Sequence, residues 1–310
     1  MPDVRTILVV EDFEPFRKFA CAALEKRPEF HVIEAADGLE AVQKAQELQP
    51  DLIFIDIGLP KLNGLEAAKR IRTLAPNARL LFLTQESNSD IVQEAFRLGA
   101  SAYIHKPFAL SHLLPAINVV LWGGRFLSSD LEFKPHDRHH RHDVLFYNDD
   151  SGFLSCSTRF LADGLRTADA AIVLATKSHQ ESFVQRLTAE NFDIDQAARQ
   201  GTYITLDAAD TLSAVMVNGM PDQALFSSSL SGLIELVSKR AQVAHPRVAI
   251  FGECVGLLCA EGKADAAVSL EKIGNKLGQT YNVDILCAYP FPQNGALQSI
   301  CAEHTAVYWQ

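Results

Sequence analysis

Leu52-Ile53-Phe54-Ile55-Asp56 sets four consecutive apolar residues ahead of a single aspartate. A short run of this kind, rich in β-branched and aromatic residues, reads as a strand buried on both faces. The arrangement recurs along the first third of the chain. Ile7-Leu8-Val9-Val10 leads into Glu11-Asp12, Leu80-Leu81-Phe82-Leu83 into Thr84, and Tyr103-Ile104 into Lys106-Pro107. Each polar group then falls at the carboxyl end of a strand, the edge at which open α/β sheets bind their ligands.

Between these runs the periodicity changes. Strands are predicted at Thr6–Val10, Phe30–Glu34, Leu52–Ile55, Leu80–Leu83 and Ala102–Ile104. Amphipathic helices are predicted at Phe16–Lys26, Leu39–Leu48, Leu65–Leu74, Ile91–Leu98 and Leu110–Leu121. Strands alternating with helices of this length form a parallel sheet with right-handed crossovers, so residues 1–122 are predicted to be a doubly wound five-stranded α/β domain. Residues 123–141 break the rhythm with Gly123-Gly124, Ser128-Ser129, Pro135 and a His/Arg-rich stretch, and read as a linker. The alternation then resumes at Val144–Tyr147, Ala171–Ala175, Tyr203–Leu206, Val248–Phe251 and Val283–Ala288, with helices clearest at Leu225–Val243 and Ala264–Leu277. Residues 142–310 are therefore read as a second α/β domain.

Composition narrows the function classes. The 310 residues are 48% hydrophobic, enough for two cores. No apolar stretch has the length of a membrane span, and Asp3 and Arg5 lead directly into a strand without a signal pattern. Six cysteines without CxxC spacing predict free thiols in a reducing cytoplasm. The formal charge is −10, and residues 123–310 carry 15 basic against 22 acidic groups, with no helix-turn-helix pattern. An output domain that gripped DNA would lean basic, so DNA binding is not expected.

Asp56, Glu11, Asp12, Thr84 and Lys106 together have the chemistry of a phosphoryl-acceptor site. Asp56 is the candidate nucleophile. A Mg²⁺ ion shared by Glu11, Asp12, Asp56 and the Gly58 backbone carbonyl would offset carboxylate repulsion. Lys106 supplies a fixed positive charge to one phosphoryl oxygen, and the Thr84 hydroxyl can donate to another. An acidic pair after a strand is by itself an ordinary helix cap; the four segments in order argue for function.

On Val9-Val10-Glu11-Asp12, Asp56-Ile57-Gly58-Leu59-Pro60 with Gly64, Thr84, and Tyr103-Ile104-His105-Lys106-Pro107-Phe108, residues 3–122 resemble the receiver domains of two-component response regulators. The resemblance implies a flavodoxin-like fold and phosphorylation of Asp56 by a sensor histidine kinase. It also implies a coupled shift of Thr84 and the switch aromatic Tyr103, a cis Lys106–Pro107 peptide, and a phosphorylation-dependent homodimer through the face bearing Tyr103. Gln85 departs from the family, which has a small residue there; its side chain would crowd the phosphoryl group. The resemblance also implies that Glu86 and Gly58 occupy positions that tune hydrolysis in the family.

In the second domain the strand ends place Tyr147-Asn148-Asp149, Thr176-Lys177-Ser178-His179, Asp207, Gly252-Glu253 and Tyr289 along one edge, the default crevice. Glu253 either enters that crevice or caps the helix that follows. The turn Asn148-Asp149-Asp150-Ser151-Gly152-Phe153 has one glycine and no lysine, so it is not a phosphate loop, and no enzymatic turnover is expected. His136, His139, His140 and His142 have metal-like density but read as a solvated hinge. Cys254 and Cys287 read as core filling, because no histidine partner is evident by spacing; His304 is ambiguous. The stretches His142–Tyr147, Asp169–Thr176, Phe251-Gly252-Glu253 and Cys287–Pro290 with His304 resemble the MEDS domain, a prokaryotic sensory module, over about residues 140–308. That resemblance implies a degenerate RecA-like fold and a small organic ligand, with His142 in the family pattern at the opposite end of the sheet from Glu253. The alternative is a protein-docking module that controls a kinase or transcription factor.

Overall fold

The apolar runs that end in Glu11, Asp56 and Thr84 become adjacent strands of one parallel sheet. A computed structural model of the chain describes residues 4–128, 130–131, 141–167, 170–241, 243, 245–290 and 297–309. It divides into two units, Met1–His136 and Asp137–Gln310. His136, His139 and His140 lie outside the described residues.

In the first unit, strands β1 (Arg5–Val10), β2 (Phe30–Ala35), β3 (Leu52–Ile55), β4 (Arg79–Thr84) and β5 (Ala100–His105) alternate with α1 (Glu14–Glu25), α2 (Gly38–Leu48), α3 (Gly64–Leu74), α4 (Ser89–Arg97) and α5 (Ala109–Leu121). The strand order β2-β1-β3-β4-β5 is that of flavodoxin-like folds. All four residues of β3 are buried, as expected for a strand covered by helices on both faces. Asp37, Asn63 and Asn88 cap α2, α3 and α4 with side-chain oxygens, which places those helix starts close to their predicted positions.

Two expectations for this unit are corrected. Phe126–Ser128, read as linker, forms a further parallel strand, β6, with Ala102 opposite Phe126 and Tyr103 opposite Leu127. β5 is consequently not an edge strand, and its Tyr103 is completely buried. The peptide before Pro107 is trans, since there is no cis bond among the described residues; Lys106–Phe108 turns as a single 3₁₀ turn directly after β5.

Gly64 sits where no side chain fits. A Cβ there would lie 1.9 Å from the Asp56 carbonyl oxygen, which is backbone and cannot rotate away. Gly64→Ala is expected to destabilise the first unit by about 1–3 kcal/mol, as overpacking does. Thermal unfolding measures it; an unchanged midpoint would mean the loop relaxes freely.

The second unit contains β7 (Arg141–Tyr147), α6 (Asp150–Thr167), β8 (Ala170–Ala175), α7 (Lys177–Ala189), α8 (Ile194–Gln200), β9 (Tyr203–Asp207), α9 (Ala208–Val215), the short hairpin of β10 (Met216–Val217) and β11 (Met220–Pro221), α10 (Gln223–Arg240), β12 (Val248–Gly252), α11 (Cys254–Ala260), α12 (Ala264–Thr280), β13 (Val283–Pro290), α13 (Leu297–Ala302) and β14 (Val307–Trp309). Its sheet is parallel, in the order β14-β7-β13-β12-β8-β9. All six cysteines are free. Among the described residues no helix is long and apolar enough to cross a membrane.

Candidate functional site

The chain reverses its winding between β1 and β3, and the acidic groups gather at that switch point. Ladder bonds hold them there: Glu11 N–H donates to the Ala35 carbonyl at 3.0 Å, and Asp56 N–H to the Val10 carbonyl at 3.0 Å. Carboxylate oxygens of Glu11, Asp12 and Asp56 lie within 4.8 Å of one another, Glu11 and Asp56 buried and Asp12 exposed. Lys106 reaches in from the end of β5, its Nζ 2.6 Å from Asp56 Oδ2 and 2.7 Å from Glu11 Oε2. Burial pushes the Glu11 carboxyl up despite this ammonium. Burial also disfavours the charged lysine, but hydrogen bonds to Asp56 and Glu11 override it and hold the ammonium above its ordinary value. Three carboxylates against one ammonium leave an excess of negative charge in an open cavity of about 780 Å³, which Thr84, Gln85, Glu86, Gly58 and Phe16 also line.

Tyr103 is hydrogen-bonded to a residue that lines this pocket. Its hydroxyl donates to the Glu86 carbonyl at 2.9 Å, and the Glu86 N–H donates to Thr84 Oγ1 at 3.3 Å. Beside it, the buried Ser128 on β6 accepts from His105 N–H at 3.0 Å and pairs with His112 Nδ1 at 2.8 Å. Burial lowers His112 to about 4, so it is neutral at physiological pH. His105 also pairs with Asp130.

In the second unit the predicted residues separate into two groups. At the carboxyl ends of β8 and β12, Glu253 accepts from Thr176 N–H at 2.7 Å and lies 2.5 Å from His179 Nδ1. Glu253 precedes α11 but makes no cap bond to it; its carboxylate sits beside the start of α7, bonded to the N–H of the residue that precedes that helix. The hydrogen bond to Glu253 raises the His179 imidazole above its ordinary value. Phe153 packs against both His179 and Tyr147, at 4.5 and 4.6 Å between ring centroids. Burial, reinforced by the Glu253 charge, pushes the Tyr147 phenol up to about 12. Asp149 Oδ1 accepts from Gly152 N–H at 2.9 Å, so a carboxylate occupies the start of α6.

His142 and Tyr289 are not part of that rim. His142 is the second residue of β7, at the opposite end of the sheet, and faces Glu271 on α12, its Nε2 2.9 Å from Glu271 Oε2. Tyr289 donates to Glu271 as well. The assignment of Tyr289 to the crevice with Glu253 is therefore corrected: its side chain turns down to the buried carboxylate.

The chain matches the response regulator receiver domain family over residues 7–118. Over residues 141–304 it matches the family described as MEDS, the methanogen/methylotroph, DcmR sensory domain, which is more than half of the 310 residues. The chain belongs to the MEDS family. Its MEDS domain follows a receiver domain, the organisation of a two-component response regulator. Transcriptional regulatory protein LnrK of Bacillus subtilis is 35% identical over 126 residues, 40% of this chain and 57% of LnrK. Chemotaxis protein CheY of Thermotoga maritima is 34% identical over 116 residues, 37% of this chain and 97% of CheY. Among solved structures, the response regulator domain of Thermotoga maritima CheB is 37% identical, with a TM-score of 0.34, over 38% of this chain and 92% of that one. The chain spans only about half of the first regulators it matches, 57% of LnrK and 52% of DegU from Brevibacillus brevis.

Sequence reasoning missed several members of the MEDS domain's buried group. Glu271 was not singled out, and Cys287 was read as core filling. Its Sγ lies 3.1 Å from Glu271 Oε2 and 3.4 Å from His142 Nε2. His304 completes the group, its ring 4.5 Å from that of His142. Glu271 itself carried a readable signal. It sits in the stripe Ala267, Leu270, Glu271, Gly274, Leu277, whose spacing is that of a buried helix face, and a lone carboxylate there demands a partner.

Proposed function

We propose that this receiver–MEDS chain acts in the cytoplasm as a response regulator whose Asp56 takes a phosphoryl group from a sensor histidine kinase or a small phosphodonor. The observation that carries this reading is Lys106 Nζ in simultaneous contact with Asp56 and Glu11, inside a pocket of excess negative charge. In the transfer an Asp56 carboxylate oxygen bonds to phosphorus while the donor's bond to phosphorus breaks, and the electron pair leaves with the donor. Lys106 is positioned for a phosphoryl oxygen, and the Thr84 hydroxyl for a second. The three carboxylates offer oxygen donors suited to Mg²⁺, and Gly58, whose backbone carbonyl would be a further donor, lines the same cavity. When bound, that ion neutralises the pocket and orients the phosphodonor.

The signal leaves through Thr84, Glu86 and Tyr103, the hydrogen-bonded series that ends on β5. β6 sits on that strand, held by Ser128 to His105 and His112, and it belongs to the segment that leads into the MEDS domain. This reading favours an internal route over a homodimer through the Tyr103 face, because β6 already pairs with β5. The MEDS domain then serves as the sensory or interaction output.

Acetyl phosphate labelling of the full chain tests the proposal. Label is expected to accumulate with Mg²⁺ and to form about 100-fold more slowly when the divalent ion is chelated, the scale of losing a charge-stabilising group. Equal rates in the two conditions would refute the metal-assisted reading.

A further inference from the structure

The buried group in the MEDS domain is built from four separate elements: His142 from β7, Glu271 from α12, Cys287 from β13 and His304 from the segment after α13. One ligand atom from each lies within 4.8 Å of all the others. Parallel register sets His142 beside Ile285, so His142, Cys287 and Tyr289 share one sheet face. α12 packs on that face, with Glu271, Gly274 and Asn275 spaced three and four residues apart on its inner side. A Cβ on Gly274 would come within 3.1 Å of the His142 ring, so the helix approaches there because it has glycine.

The hydrogen bonds around the group fix the ring orientations. His142 Nδ1 lies 2.8 Å from Asn275 Oδ1. Asn275 is itself oriented, because its amide donates to the Glu303 carbonyl and carboxylate at 2.8 and 2.9 Å. An amide oriented this way presents only its oxygen to His142, so Nδ1 carries the proton. His304 Nδ1 likewise donates to the Ile300 carbonyl at 2.6 Å. Both imidazoles therefore turn their Nε2 atoms inward, toward the carboxylate and the thiol. The His304 Nε2 is fully buried and makes no hydrogen bond. Ring tautomers held by outer acceptors are the ordinary surroundings of metal-binding histidines.

We infer that His142, Glu271, Cys287 and His304 hold a divalent transition-metal ion of the zinc class inside the MEDS domain. Two imidazoles, one carboxylate and one thiolate are ligands that zinc accepts in a four-coordinate site, whereas Mg²⁺ would not choose sulfur and nitrogen. Bonds of about 2.0–2.3 Å in a tetrahedron separate ligand atoms by roughly 3.3–3.8 Å. The present separations of 2.9, 3.1, 3.3 and 3.4 Å are close to that range. Tyr289 donates to Glu271 and would orient the carboxylate as an outer partner. His142, Glu271 and Cys287 also line an otherwise apolar cavity of about 40 Å³, with Leu174, Ile250 and Cys254 opposite. That exceeds the space one water needs, so a small molecule there would sit against the ion.

The test uses the full chain, purified without a histidine tag, freed of metal by a chelator and titrated with Co²⁺ in excess Mg²⁺. About one equivalent is expected to bind with the intense visible bands of tetrahedral cobalt and a near-ultraviolet thiolate-to-cobalt absorption. The thiolate absorption separates this site from the carboxylates of the receiver. Cys287→Ser should abolish that absorption, and Asn275→Leu should weaken binding about 10–100-fold. A folded wild-type chain that shows no thiolate absorption on saturation with Co²⁺ overturns the inference, whatever the variants do. So does a Cys287→Ser chain that keeps the absorption.

Discussion

Asp56→Asn will cut phosphoryl incorporation from acetyl phosphate by more than about 100-fold while leaving the receiver folded, because the change removes the nucleophile and little else. The asparagine oxygen can still accept the Ile57 N–H, which Asp56 Oδ1 accepts at 2.7 Å. Lys106 keeps its contact with Glu11 at 2.7 Å. What disappears is the carboxylate oxygen that Lys106 holds at 2.6 Å, and an amide nitrogen cannot replace it as a nucleophile. The neighbouring acids give the experiment its discrimination. Asp12 is exposed in the same pocket and Glu11 is buried beside it, so label moved to either would leave incorporation reduced but present. Phosphate counting with peptide mapping separates the cases, and wild-type labelling of the variant would remove Asp56 from its assigned role.

The receiver was legible because its sheet is buried on both faces. β3 and the inner parts of β1 and β4 are then unbroken apolar runs, each with a candidate site residue as the first polar residue after it: Glu11 after β1, Asp56 after β3 and Thr84 closing β4, while Lys106 follows β5 after His105. β6 escaped notice for the opposite reason. Phe126-Leu127-Ser128 is three residues long, follows a glycine pair, and is recognisable only once β5 offers an edge. β14 is equally short. In the MEDS domain the strands could be read but their side-chain partners could not. His142 and Cys287 are 145 positions apart, so no spacing rule connects them. The crevice argument placed Tyr289 by its strand end alone. It could not foresee that an alternate residue of β13 faces α12, where a buried carboxylate draws the phenol inward. Glu253 and His179 could be placed along one edge because both follow strand ends closely, a one-dimensional cue.

Glu271→Ala, measured with chelator present so that no metal contributes, is expected to destabilise the MEDS domain by about 3–5 kcal/mol, the scale of removing one partner from a buried ion pair. Glu271 is the common acceptor for Tyr289 and Cys287 and the counter-charge of His142, and its side chain is wholly buried. Without it, His142 is left as a buried cation or discharges. Both outcomes cost free energy, and the phenol and thiol lose their acceptor too. The pH dependence follows from the two partners. Burial disfavours charge on His142, but the Glu271 hydrogen bond overrides it and raises the imidazole above 6.5, so its contribution is complete below that pH and fades as pH rises through the folded value. Burial likewise works against the Glu271 carboxylate, yet His304 and His142 hold it well below 4.5, so its contribution is complete above that pH and lost in acid. The penalty of the substitution should therefore be greatest between pH 4.5 and 6.5 and shrink on the alkaline side. Denaturant unfolding across this range reads it, with Asp56 labelling at neutral pH as an internal check that the receiver is intact. A penalty below about 1 kcal/mol, or one that grows toward alkaline pH, would show that the carboxylate is not the keystone of this group.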